Sequence, residues 1–248
     1  MKKSRIATLI VFFVLIPLTL IVGSRLSGRA FYVTSTLVIV ELLIPFFLAF
    51  EGRRPQAREL VVLAVMCALA VAGRVAIPIP SFKAIFGIIM IAGIAFGPES
   101  GFLVGAISAL ASNFFYSQGP YTPWQMMAYG AGGMLAGFVF AEGRLPRKPV
   151  VMGIFGFLAV AFFVGPLLDT CSVFLVMSRI SLKGAMAFYI SGFPVNLRQA
   201  AATAIVLLVL GKPLLEKLDR IKTKYGILDD EGLSLIHISE PTRLGMIS

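Results

Sequence analysis

The sequence predicts an all-α integral membrane protein, a six-helix bundle preceded by a two-helix N-terminal hairpin. Three observations carry this. Of the 248 residues, 58% are hydrophobic and only 14% charged, with a mean hydropathy of +0.92, whereas soluble domains carry about 25% charged residues. The apolar residues fall into runs close to the roughly 20 residues needed to cross hydrocarbon. The basic residues sit in short groups between those runs, which is how membrane topology is written, so the net charge of +10 does not signal a nucleic-acid surface.

Eight segments approach spanning length: Ile6–Val22, Phe31–Phe50, Glu59–Ile77, Ala84–Phe96, Gly101–Tyr116, Pro123–Ala141, Val150–Met177 and Gly184–Leu210. The first follows "MKKSR" but exceeds the 7–15 apolar residues of a signal peptide and lacks a small-residue cleavage site, so a retained anchor is expected. The fourth is short and the seventh long. Segments one and two make a hairpin, residues 1–57, closed by "EGRRPQARE". Residues 58–220 form the six-helix core and 221–232 a cytoplasmic tail. The stretch "LSLIHISEPTR", Leu233–Arg243, is the translation of a sequencing-library adapter, so residues 233–248 are set aside. The sole histidine, His237, goes with them.

With the N-terminus inside, the inner loops collect Lys2, Lys3, Arg5, Arg53, Arg54, Arg58, Arg144, Arg147, Lys148, Lys212, Lys217, Arg220, Lys222 and Lys224. The outer loops hold only Arg25, Arg29, Lys83, Arg179 and Lys183. The positive-inside rule therefore places a multi-pass protein in the cell membrane with both termini cytoplasmic. It also puts two uncharged connections outside, "PIPSF" (Pro78–Phe82) and the aromatic "FFYSQGPYTPWQMMAYG" (Phe114–Gly130).

Polar side chains inside hydrocarbon are costly and so are functional candidates. Arg74, Asn113, Gln125 and Asp169 fall in the outer half. Asn196 and Arg198 lie nearer mid-depth, just after Pro194, which should kink its helix and free backbone carbonyls. Two readings stay open: Asp169 neutralises Arg74 or Arg198 to hold the bundle together, or these groups line an outward-facing polar cavity. Small residues recur every four positions at Ala64/Ala68/Ala72, at Gly101/Gly105/Ala109 and at Gly133/Gly137. Such stripes let helices approach closely.

Cys67 and Cys171 lie in apolar runs and read as packing residues, with no metal site and no disulfide framework. No phosphate loop, HExxH or GxSxG motif is present, and no histidine accompanies Ser108, Ser112, Ser117 or Ser191 to activate them. Enzymatic activity and a cofactor are not expected.

Four stretches, in order, resemble the substrate-specific S components of energy-coupling factor (ECF) transporters: "ELVVLAVMCALAVAGR", "FGPESGFLVGAISALASNFF", "GPYTPWQMMAYGAGGMLAG" and "FPVNLRQAAATAIVLLVLGKPLLEKL". Together they cover about two thirds of the chain. The third is closest to the GPWTPWQM form of the cobalamin branch, with Tyr121 where Trp is common. The N-terminal hairpin lies outside the resemblance. The resemblance implies a vitamin captured from outside, beneath stiffened aromatic loops, with Tyr121, Trp124, Gln125, Asn113, Arg74, Asp169 and Asn196 as ligand contacts. It also implies docking through Ala64, Ala68 and Ala72 onto a transmembrane coupling subunit driven by two separate ATPases, and delivery by toppling in the bilayer. Two rival readings are a stand-alone secondary transporter using Asp169 to carry protons and a membrane-embedded enzyme acting on lipid or isoprenoid through Asp169 and Arg198.

Overall fold

The computed structural model describes residues 14–15, 18–19, 30–52, 56–140, 143–177 and 181–226. Most of the first apolar segment, the adapter-derived segment with His237, and the tail beyond Gly226 lie outside the described residues. So do Lys2, Lys3, Arg5, Arg25, Arg29, Arg53, Arg54 and Arg179 of the topology argument.

All regular structure among the described residues is helical, with seven helices from residue 30 on: α1 (Ala30–Gly52), α2 (Ala57–Val75), α3 (Ile85–Phe96), α4 (Pro98–Tyr116), α5 (Thr122–Phe140), α6 (Pro149–Val176) and α7 (Leu182–Tyr225). They match the last seven apolar segments closely, save that α7 continues past Leu210. Local chemistry sets the boundaries. Gly97, at φ 91°, ends α3 and Pro98 opens α4 at once, so the two helices share a turn one residue long. Pro149 begins α6, and the Ser181 side chain accepts a hydrogen bond from the Gly184 N–H at 3.1 Å to start α7.

All twelve residues of α3 are buried. At about 1.5 Å per residue it is roughly 18 Å long, too short to cross hydrocarbon of about 30 Å, and it forms the axis around which α2, α4, α5 and α7 pack. α3 and α4 both approach the α5 backbone closely: a Cβ added at Gly93 of α3 would run into the Gly133 carbonyl oxygen. A Cβ added at Gly101 would lie 2.5 Å from the Gly133 carbonyl oxygen, and one at Gly105 would lie 2.4 Å from that of Tyr129. The two glycine stripes are therefore internal packing surfaces.

The bundle has two chemically distinct ends. At the aromatic end lie the connections 76–84 and 117–121, with Met177 and Ser181; at the basic end lie 143–148 and the last turns of α7. There two cations satisfy the terminal carbonyls of α3: Arg147 donates to Ile94 O at 3.2 Å and Lys222 to Ala95 O at 2.7 Å. These are the groups that a helix C-terminus leaves unpaired, and positive charge suits its dipole.

α1 packs against α4, α5 and the second half of α6. Phe47 meets Phe102 edge-on at 6.4 Å, while the Thr36 hydroxyl reaches Pro120 O at 3.4 Å. Contacts at both ends of α4 in that order make α1 antiparallel to it. Nearer its middle, Glu41 accepts a 2.6 Å hydrogen bond from Thr19, a residue of the first apolar segment.

Among the described residues, α6 and α7 are the two helices that are long and apolar enough, by length and composition, to cross a membrane. Each contains one π-helical turn, Val160–Val164 and Leu207–Gly211. α7 runs helically through Pro194. Proline removes one ladder donor there, and a departure from α hydrogen bonding lies further on, at Leu207–Gly211.

Candidate ligand site at the aromatic end

Arg74, Asn113 and Gln125 are brought together from α2, α4 and α5. The Arg74 guanidinium donates to Ser112 Oγ and to Asn113 Oδ1, the latter at 2.9 Å. Asn113 Nδ2 in turn donates to Gln125 Oε1 at 2.8 Å and to Thr122 Oγ1 at 3.1 Å. Three of the four hydrogen-bonding positions of this fully buried amide are thus filled. Thr122 donates to Gln118 Oε1 at 2.9 Å and accepts from the Gly119 N–H at 3.2 Å, which ties the network into the uncharged loop. The rings of Tyr116 and Tyr129 lie 4.9 and 5.5 Å from the guanidinium carbon. Arg74 is therefore held by amide, hydroxyl and π-faces, with no carboxylate in ion-pair reach among the described residues.

The loop is stiffened by its own side chains. Tyr121 OH donates to Ser117 O at 2.7 Å and its ring packs over Gly119. Tyr116 OH reaches across to Arg74 O at 3.0 Å. In the neighbouring connection Lys83 Nζ donates to Ile77 O.

Two further pairs lie on α5, α6 and α7. Trp124 stacks on Phe174 with centroids 5.4 Å apart and planes 28° apart. Its indole Nε1 is buried without a hydrogen-bond partner among the described residues, although buried tryptophan N–H groups usually find one. Asp169 accepts from Asn196 Nδ2 at 2.7 Å. Glycines make room for this pair reciprocally: a Cβ at Gly192 would lie 2.2 Å from Asp169 Oδ1, and one at Gly165 would lie 2.4 Å from Asn196 Cγ. Beside it, the Thr170 and Tyr189 hydroxyls lie 2.8 Å apart.

The structure thus ties Arg74, Asn113 and Gln125 into one network beside the Tyr121 loop, pairs Asp169 with Asn196 and stacks Trp124 on Phe174. Asp169 forms no ion pair with Arg74 or Arg198 among the described residues, so the charge-neutralisation reading gives way to amide pairing. Arg198 is exposed on α7. Ser112, Thr122 and Phe174 were not anticipated. Ser112 and Thr122 flank predicted positions and could have been found by asking what satisfies Asn113, but nothing in the sequence marks Phe174 among 21 phenylalanines.

The alanine stripe differs from the glycine stripes. Ala64, Ala68 and Ala72 are exposed on α2, flanked by exposed Val61, Val65 and Leu69, and the smooth face they make is unpartnered among the described residues.

A helical bundle with a polar and aromatic site at one end and an open small-residue face on one flank is the anatomy of a membrane-embedded receptor subunit, with no catalytic constellation in sight among the described residues. Residues 55–216 match the family described as ECF-type riboflavin transporter, S component. The chain belongs to this family: it is a substrate-binding membrane subunit of an ECF transporter, a class that binds small vitamin-type ligands and works with a coupling subunit and ATPases, and is not an enzyme. Comparisons with curated proteins and with solved structures gave no match.

Proposed function

We propose that this chain captures a flat heteroaromatic vitamin of the riboflavin type at the aromatic end of the bundle, which faces outward. The observation that carries this reading is the Trp124–Phe174 pair, a parallel aromatic surface with an unpaired indole N–H at its edge. The family description supports the same ligand. A ring system slots against such a surface with large contact area and little entropic cost. Asp169 and Asn196 supply acceptor and donor for the polar edge of the ring. Arg74 and Gln125 meet the ligand's other end, and Asn113 acts as the positioning group behind them. Tyr121 and its loop form the roof, pre-stiffened so that less ordering is lost on binding.

Around this site the six helices α2–α7 make the transmembrane core, with both termini cytoplasmic. The exposed stripe Ala64/Ala68/Ala72 is the face that docks onto the coupling subunit, which two ATPases drive. The hairpin of residues 1–57 is an addition to this core.

A second ligand, cobalamin, is favoured by one observation, the "GPYTPWQM" stretch at the roof. The two are separated by titrating the full chain in lipid nanodiscs with each vitamin by calorimetry. Riboflavin heat that is lost in Trp124→Ala supports the flavin reading. Heat with cobalamin alone assigns the second ligand, and silence with both overturns the site.

A further inference from the structure

We infer that the basic end carries a binding site for one anionic phospholipid, seated between α6 and α7 with its headgroup held by Lys148 and Lys212. The site rests on a groove and on the charges at its mouth. The groove encloses about 290 Å³ and is lined by Val150, Gly153, Ile154, Phe157, Leu158, Ala204 and Leu208, apolar throughout. Its depth comes from small residues facing each other across the helix pair: a Cβ at Gly153 would lie 2.9 Å from the Leu208 side chain and 3.4 Å from Ala204 O, one turn earlier on α7. Val150, Ile154 and Leu158 are exposed at 61, 58 and 49%, so the groove opens sideways toward the bilayer. No other helix covers it among the described residues. An acyl chain suits this shape and chemistry; a polar metabolite does not.

The charges distinguish this groove from an ordinary lipid-facing surface. Lys148 precedes the first residue of α6 and Lys212 follows Gly211 on α7. A Cβ at Gly211 would lie 2.9 Å from Met152 Cε, so the two lysines flank the same end of the groove. The other cations nearby are engaged. Arg147 pairs with Asp219 at 3.4 Å and donates to Ile94 O, and Lys222 donates to Ala95 O. Lys148 has no partner among the described residues. Lys212 is 63% exposed and has only a loose 3.9 Å contact with Glu216. Two exposed lysines at this end, with the unpaired backbone N–H groups of a helix first turn beside Lys148, suit a phosphate headgroup. The groove below takes the lipid's chain.

Preference for negative lipid should then depend on these two lysines. Each basic side chain near an anionic surface is worth about fivefold in affinity, so losing both costs about 30-fold. The full chain is reconstituted in vesicles of equimolar phosphatidylglycerol and phosphatidylcholine with identical acyl chains, and retained lipid is counted by native mass spectrometry after mild extraction. Wild type is expected to keep one phosphatidylglycerol in marked excess. Lys148→Gln/Lys212→Gln should abolish that excess, and Ala204→Leu should expel the lipid by filling the groove. The control Lys217→Gln/Arg220→Gln, on exposed positions of α7, should change nothing. An unchanged lipid ratio in the lysine variant would sink the inference, as would an equal loss in the control, which would mean unspecific surface attraction. Vitamin binding is measured on the same samples and is expected to persist, so failure here leaves the proposed function standing.

Discussion

Two stripes of small residues look alike in the sequence yet should respond oppositely to the same kind of substitution. Ala68 is exposed at the centre of the α2 face, so Ala68→Leu meets lipid and displaces nothing inside the bundle. Surface changes of this type move stability by about 0.5 kcal/mol or less. The added isobutyl group does, however, hold any partner helix away from the α2 backbone. An interface core residue is worth about 2 kcal/mol or more, so uptake should fall at least 10-fold to 30-fold while vitamin binding is retained. Gly105 is the counter-example. A single methyl there would come 2.4 Å from Tyr129 O, so α4 and α5 must separate by about 1 Å to reach ordinary contact. Overpacking of this kind costs about 1–3 kcal/mol, and here the obstruction is backbone, which cannot rotate away. Gly105→Ala should lower the melting midpoint of the purified chain and reduce binding and uptake together. Thermal unfolding, calorimetric titration and uptake with the coupling module separate the cases. Normal uptake by Ala68→Leu, or an unchanged melting point for Gly105→Ala, would refute the division into a docking stripe and a packing stripe.

Asn113→Ala leaves the Arg74 guanidinium short of an acceptor and deprives Thr122 and Gln125 of a donor. Unsatisfied buried groups cost about 1–3 kcal/mol each, more when charged, so a loss of about 3 kcal/mol is expected in denaturation of the apo chain. Trp124→Phe keeps the stack on Phe174 but lacks the N–H, and by calorimetry it should bind riboflavin more tightly than Trp124→Ala and less tightly than wild type. Phe102→Ala, at a position 1% exposed where α1 meets α4, should cost about 3–5 kcal/mol in the same denaturation assay. Uptake in proteoliposomes should persist when the proton gradient is collapsed and stop when ATP is withheld; the reverse would restore the secondary-transporter reading.

The helices were legible because hydrocarbon imposes one simple demand on sequence, a long apolar run ended by charge, proline or glycine. Seven runs became seven helices on that ground. The central position of α3 was not legible. A 12-residue run looks like a short span, and only the packing of its neighbours makes it an axis. The site was half legible. Cost alone pointed to Arg74, Asn113, Asp169 and Asn196 as residues needing a reason, yet their partners could not be paired from charge. Opposite charges suggested Asp169 with an arginine, whereas hydrogen-bonding capacity set Arg74 against Asn113 and Asp169 against Asn196. The exposed and buried small-residue stripes share one spacing, and spacing carries no information about which face of a helix finds a neighbour.

Arg74 shows why the two polar groups at the aromatic end should have different duties. Its charge is spread over a hydroxyl, an amide oxygen and two tyrosine faces, none of which cancels it. A carboxylate partner would have fixed the cation equally well but neutralised the field it projects toward the loop. Neutral partners anchor the guanidinium and leave that field available to an electron-rich group on an incoming ligand. The Asp169–Asn196 pair does the converse: it holds a carboxylate with a single amide hydrogen bond and no cation. Separating a lone positive and a lone negative group across the same end creates a dipolar setting. Under the proposed function, that setting is what would orient a ligand with unlike ends, and the Trp124–Phe174 surface would supply contact area without regard to orientation. Exchanging one neutral partner for an acid, as in Ser112→Asp, should therefore weaken binding without unfolding the bundle. Unaltered affinity in that variant would show that the isolated charge on Arg74 has no part in recognition.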